Sequence, residues 1–126
     1  ARRWRQMVGG GMRQAGVIAA AGLVALDTMV DRLVEDHANA RRLAHLLAEA
    51  GLILDPPPEE VETNILFAVV PEGLMDPVAF VEGLAREGVV VNPARNRRVR
   101  FITHHDISAT DIEAAGTAVR KVLAGG

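Results

Sequence analysis

Two clusters of arginine carry most of the chemistry legible in this chain of 126 residues. Arg2, Arg3, Arg5 and Arg13 gather near one end, and Arg95, Arg97, Arg98 and Arg100 near the other. A guanidinium is a planar fork of N–H donors whose geometry matches a carboxylate or a phosphate. The first cluster runs through Gly9-Gly10-Gly11-Met12-Arg13-Gln14. A glycine-rich turn that feeds a helix can hold an anion, because the first amides of a helix are unpaired and its dipole is positive there. The same glycines also suit a plain flexible loop. In the second cluster, Arg100 falls on a short strand pattern behind a proline-bearing loop. There it suits the carboxylate of an amino acid, or equally a salt bridge to an acidic side chain.

Other reactive types are sparse. There is no cysteine, which excludes thiol nucleophiles, disulfides and thiolate metal sites. No Gly-x-Ser-x-Gly elbow appears. His104-His105-Asp106 invites a metal reading, but adjacent residues of an extended chain point to opposite sides and a tetrahedral site needs more ligands. No metal site is expected, and His104 is read as fixing its loop. His37 falls on an apolar stripe, as a partly buried structural histidine does, and His45 reads as a surface helix residue. Lys121, the single lysine, lies on the last helical pattern, where a cation suits the helix dipole. A reactive lysine needs a desolvated or cation-rich pocket, so no catalytic residue is assigned within the chain.

Composition sets the frame. Hydrophobic residues make up 49% and the net charge at pH 7 is -2, which excludes a disordered polar chain and gives no nucleic-acid or membrane signal. No apolar run is long enough for a membrane span, and no leader peptide is recognisable. The lack of cysteine fits a cytoplasmic protein.

The elements that must hold the arginines follow from periodicity. Residues 12–26 predict a helix that is small and apolar all round, which is expected to be buried by a large partner surface. Asp27-Thr28 breaks it. A second helix is predicted from Met29 to Ala50, with an apolar stripe through Val30, Leu33, Val34, His37, Ala44 and Leu47, closed by Gly51. Leu52-Ile53-Leu54 is a short strand, followed by a proline loop. Thr63 to Val70 predicts a strand buried on both faces, with Asn64 making a structural hydrogen bond at its start. Asp76-Pro77 starts a helix that ends near Gly88, with Val78, Phe80, Val81 and Leu84 inward. Val89 to Asn92 predicts a strand stopped by Pro93, with residues 94–96 as a loop. Arg98 to Thr103 alternates, placing Arg98, Arg100 and Ile102 on one face and Val99, Phe101 and Thr103 on the other. Ser108-Ala109-Thr110-Asp111 resembles a capping box ahead of a final helix over about 109–123, with Ile112, Ala115, Ala118 or Val119, and Val122 inward. The result is an α+β chain with a short, mostly antiparallel sheet packed by helices on one face.

The run Gly9-Gly10-Gly11-Met12-Arg13-Gln14 with Ala15 to Leu23 resembles the threonine aldolases. So do Glu35-Asp36-His37, Thr63-Asn64-Ile65-Leu66-Phe67 and Val99-Arg100-Phe101-Ile102-Thr103-His104. These are pyridoxal-phosphate lyases of the aminotransferase-like fold type I class. The resemblance implies that residues 52–126 form the small C-terminal domain of such an enzyme, and that residues 1–51 are a glycine-rich turn and long helices linking it to a large domain. It implies a retro-aldol cleavage of threonine or allo-threonine to glycine and acetaldehyde. Arg100 would hold the substrate carboxylate, and Arg13 the phosphate of pyridoxal 5'-phosphate. Gln6 departs from the basic residue common in the family there. The covalent cofactor lysine is expected outside this chain, which by itself should be a silent fragment. A homo-oligomer, dimer or tetramer, with shared active sites is also implied. An aminotransferase or β-eliminating lyase would share the carboxylate arginine. The reading from another class is a free-standing, non-enzymatic module that binds an amino acid or another anion.

Overall fold

A computed structural model describes residues 1–125, and all their side chains except those of residues 93–95. The chain forms two compact units, residues 1–33 and 34–126. This boundary lies upstream of the 51/52 division expected from sequence, because the third helix packs on the sheet that follows it.

The first unit holds α1 (Arg2–Met7) and α2 (Gly16–Thr28). The arginine-rich lead-in is thus helical, which periodicity did not predict. α2 begins four residues later than expected and runs through the anticipated break at residues 27–28. Thr28 Oγ1 donates to the Val24 carbonyl (2.7 Å), a back-bond that keeps this hydroxyl within α2 rather than capping the next helix. No residue of α2 is buried within this chain, although it is apolar round its whole circumference.

The second unit is built from α3 (Leu33–Glu49), β1 (Ile53–Leu54), a 3-10 turn (Pro58–Glu60), β2 (Ile65–Val69), α4 (Pro77–Arg86), β3 (Asn92–Arg95), β4 (Arg98–Ile102) and α5 (Ala109–Ala124). The sheet order is β1-β2-β4-β3, antiparallel throughout. β2 and β4 pair over Ile65↔Ile102 to Val69↔Arg98 and form its centre. Asn64 Nδ2 donates to the Thr103 carbonyl (2.7 Å), while Thr103 N donates to the Asn64 carbonyl (3.0 Å). This locks the register at one end of the pair, as the structural reading of Asn64 required.

The core lies on one face of this sheet. Leu66, Ala68, Val99 and Phe101 meet Ala40, Leu43, Ala44 and Leu47 of α3, Phe80 and Leu84 of α4, and Ile112, Ala118 and Val119 of α5. Leu33 and Val34 are exposed, so the buried stripe of α3 starts later than predicted and runs through Ala40, Leu43, Ala44 and Leu47. Val78 is likewise exposed rather than inward. Gly116 lets α5 approach α3 closely, since a Cβ there would come within 2.8 Å of Leu46 Cδ1. β2 is covered on one face only within this chain: Leu66 and Ala68 are buried, Ile65 is exposed, and Phe67 and Val69 are half-buried.

Local signals set the helix ends. Asp76 Oδ1 accepts from the Val78 and Ala79 amides (2.9 and 3.0 Å) ahead of Pro77. Ser108 Oγ accepts from Asp111 N (3.2 Å) while Asp111 Oδ2 accepts from Ser108 N (2.8 Å), completing the capping box. Gly51, at φ +96°, closes α3 through Leu52 N to the Leu47 carbonyl (3.1 Å) and its own N–H to the Ala48 carbonyl (2.9 Å).

Candidate functional site

The β3–β4 hairpin carries the second arginine cluster and treats its members differently. Its loop is Asn96-Arg97, both at positive φ (48° and 61°), as a two-residue primed hairpin turn requires. A positive φ is costly for arginine. The cost is offset by its side chain: Arg97 Nε donates to the Val70 carbonyl (2.7 Å), and Nη2 to those of Pro71 and Met75 (both 2.8 Å). Arg97 is therefore a clasp joining the hairpin to the turn after β2.

Arg98 and Arg100 follow on the face of β4 opposite the core, as alternation predicted. Arg98 is engaged. Its Nη2 donates to Asp55 Oδ2 (3.0 Å), and its guanidinium lies 4.1 Å from the centre of the Phe67 ring. Arg100 is held differently, by a neutral partner. Asn92, its register partner on β3, has its carboxamide oxygen 2.9 Å from Nε and 2.7 Å from Nη2. The amide is oriented with its oxygen toward the guanidinium, since the reverse would set donors against donors. Among the described residues no carboxylate lies within salt-bridge distance of Arg100. The Nη1 edge of an exposed cation is thus presented without a counter-charge.

A register irregularity produces this pairing. Arg95 opposes Arg98, and continuing that register would set residue 93 against Arg100; a bulge between Asn92 and Arg95 brings Asn92 there instead. The strand was expected to stop at Pro93, with residues 94–96 as a loop. It begins at Asn92 and passes through residues 93–95, because Pro93 lies on an edge strand, where a missing N–H is tolerated.

The first cluster is organised by the glycines, and not as expected. Gly9, at φ +82°, donates to the Gln6 carbonyl (3.3 Å), and Gly10 N donates to the Arg5 carbonyl (2.7 Å). These two bonds are the closing pattern of a helix C-terminus, so the glycines end α1 rather than open α2. A Cβ on Gly10 would come within 2.8 Å of Arg5 Cγ, and one on Gly11 would meet the Gln6 carboxamide. Arg13 lies in the separate turn before α2, not in the helix's first turn, and is exposed.

The remaining candidates have local roles. His104 Nδ1 accepts from Asp106 N (3.3 Å), which fixes the loop after β4. His37 is half-buried. Lys121 Nζ donates to Glu87 Oε2 (2.7 Å) in an exposed ion pair between α5 and the end of α4. Among the described residues no group of three or more histidine or acidic side chains is placed to hold a metal. No helix among them is long and apolar enough to cross a membrane. A cleft of about 390 Å³ opens beside α5, lined by Val89, Val91, Phe101 and Ile107 with Glu87, Asp106 and Asp111. Three acidic residues and no basic one make it unsuited to an anion.

Residues 1–72 match the family model for beta-eliminating lyases, and the chain belongs to that family. More particularly, it is 40% identical over 122 residues to the low specificity L-threonine aldolase of Escherichia coli strain K12, covering 97% of this chain. It is 40% identical over 126 residues to the probable low-specificity L-threonine aldolase 2 of Arabidopsis thaliana, covering 96%. The chain spans about a third of the length of these relatives (34% of each).

Proposed function

We propose that this chain is the substrate-recognition part of a threonine aldolase-like lyase that cleaves threonine or allo-threonine to glycine and acetaldehyde. Arg100 is the anchor for the substrate carboxylate. The observation that carries this reading is the contrast within the arginine cluster: Arg97 and Arg98 are spent on carbonyls, Asp55 and Phe67, whereas Arg100 is held by a neutral amide and keeps its charge. A guanidinium that is fixed yet not neutralised is what an incoming carboxylate needs. The names of the relatives support the reaction class.

Pyridoxal phosphate is the cofactor implied by this reading, and when bound it serves as the electron sink for the carbanion left by carbon–carbon cleavage. The donor set fits it at one point. Arg13 is exposed and offers a guanidinium for the phosphate. The Gly9 and Gly10 amides are already given to α1 carbonyls and do not form a phosphate cradle. Lys121 is tied to Glu87, so the lysine that holds the cofactor covalently is assigned to the enzyme outside these residues. The whole enzyme is read as a homo-oligomer with shared active sites, a reading supported by the apolar α2, of which nothing is buried within this chain.

The test is carboxylate recognition by the full-length enzyme. Calorimetric binding of glycine is compared with that of glycinamide, which lacks the carboxylate. Arg100→Gln should lower the preference for glycine by about ten- to a hundredfold, the range for a charge-assisted hydrogen bond. An unchanged preference would overturn the assignment. Binding of both ligands without any aldol cleavage in the wild-type enzyme would favour a non-enzymatic amino-acid-binding module.

A further inference from the structure

Resting on the reading of Arg100 as the carboxylate anchor, we propose that Asn92 is the positioning residue that decides how Arg100 receives its ligand. A guanidinium offers a carboxylate two planar edges, the side-on edge of Nε and Nη2 and the end-on edge of Nη1 and Nη2. The Asn92 oxygen, at 2.9 and 2.7 Å, occupies the side-on edge. The N–H groups of Nη1 and the outer N–H of Nη2 remain, so the carboxylate is taken end-on, in line with the long axis of the arginine.

Three observations make Asn92 more than a chance neighbour. The bulge in β3 sets it directly across from Arg100. Its side chain is the right length to reach one edge without covering the other, and it is neutral. An aspartate in its place would give Arg100 a permanent counter-charge and weaken its attraction for a substrate anion. Asn92 also has a cost to offset. An arginine side chain loses rotamer freedom worth up to about thirtyfold in affinity when it is ordered at binding. Two hydrogen bonds already made in the free protein remove part of that loss.

The experiment uses the full-length enzyme with Asn92→Ala and Asn92→Asp beside Arg100→Gln. Binding of glycine and of glycinamide is measured by calorimetry, kcat and KM for L-threonine by steady-state kinetics, and folding by thermal melting. Asn92→Ala should reduce the glycine-over-glycinamide preference by about tenfold and raise KM more than it lowers kcat, with little change in melting temperature because the residue is exposed. Asn92→Asp should retain the contact and bind glycine more weakly than Asn92→Ala. If Arg100→Gln abolishes the preference while Asn92→Ala and Asn92→Asp leave it at the wild-type value, Asn92 has no positioning role and the anchor stands. If Arg100→Gln leaves the preference intact, the anchor itself is overturned and this inference with it.

Discussion

The carboxamide oxygen of Asn92 sits 2.7 Å from Nη2 and 2.9 Å from Nε of Arg100, across the edge pair of a four-stranded sheet. The cation is fixed in place by a partner that leaves its charge intact. Arg98, two residues earlier on the same face, is instead paired with Asp55. This difference between neighbouring arginines underlies the functional reading.

Arg100→Lys tests geometry separately from charge. An ammonium cannot reproduce the fork or the bond to Asn92 from the same place. Affinity for L-threonine, read as KM in the full-length enzyme, is expected to fall by about tenfold, less than in Arg100→Gln. Equal losses in the two variants would mean that charge contributes nothing.

Arg97 holds the hairpin that presents Arg100. Arg97→Ala removes three hydrogen bonds to carbonyls yet keeps the unfavourable φ of +61°. Denaturant melts should show a loss of about 2 kcal/mol. Arg97→Gly relieves the backbone and should recover about 1 kcal/mol of that loss. A glycine variant less stable than the alanine variant would show that the turn is not strained.

Arg13 is the proposed partner of the cofactor phosphate. In the full-length enzyme, Arg13→Ala should weaken pyridoxal phosphate binding by about ten- to a hundredfold, measured by equilibrium dialysis. The melting temperature without cofactor should stay the same, since the residue is exposed. Unchanged cofactor affinity would remove Arg13 from the site.

Gly116 sets the distance between α3 and α5. Alanine is the better helix former by about 1 kcal/mol. Its Cβ would nevertheless meet Leu46 Cδ1 at 2.8 Å and Cβ at 3.1 Å, and Leu46 is a buried core residue. Overpacking outweighs propensity, and Gly116→Ala should cost about 1 to 2 kcal/mol net in chemical denaturation. A stabilised variant would show that the two helices separate freely.

Acid should loosen α5 through two carboxylates held below their usual range. Asp111 is lowered by the Ser108 hydroxyl and then by the Ser108 amide, and Glu113 by the Arg42 guanidinium, which it accepts from at 2.6 Å. Each contribution is present in full above the unfolded carboxylate pKa and is lost as pH falls through the lower folded value. Melting temperature should therefore decline on acidification below the ordinary carboxylate range. Asp111→Asn should flatten part of that decline, and Ser108→Ala should cost about 1 kcal/mol near neutral pH. An identical acid profile in Asp111→Asn would show that the capping box is not linked to proton uptake.

Much of the scaffold was legible in the sequence because its causes are local. Strand alternation separated Arg98, Arg100 and Ile102 from Val99 and Phe101, since successive side chains of a strand point to opposite faces. Asp76-Pro77, Ser108 with Asp111, and Gly51 marked helix ends, because capping joins groups only a few residues apart. The resemblance of the glycine run and the Val99-Arg100-Phe101 segment to threonine aldolases also lay in the sequence.

Arg100 was already singled out in the sequence, but only the tertiary structure showed what Arg97, Arg98 and Arg100 are bonded to. Arg97 is claimed by carbonyls at residues 70, 71 and 75, and Arg98 by a carboxylate at residue 55. Those partners are distant in the chain, and no periodicity encodes them. The glycines at 9 and 10 were expected to lead into the following helix or to form a flexible loop, whereas their amides reach back to Gln6 and Arg5 and close the helix before them. The bulge beside Pro93 likewise arises from pairing against β4. Local rules reach about one helical turn or one strand pair, whereas the partners of Arg97, Arg98 and Arg100 depend on which groups the folded chain brings within hydrogen-bonding distance of each guanidinium.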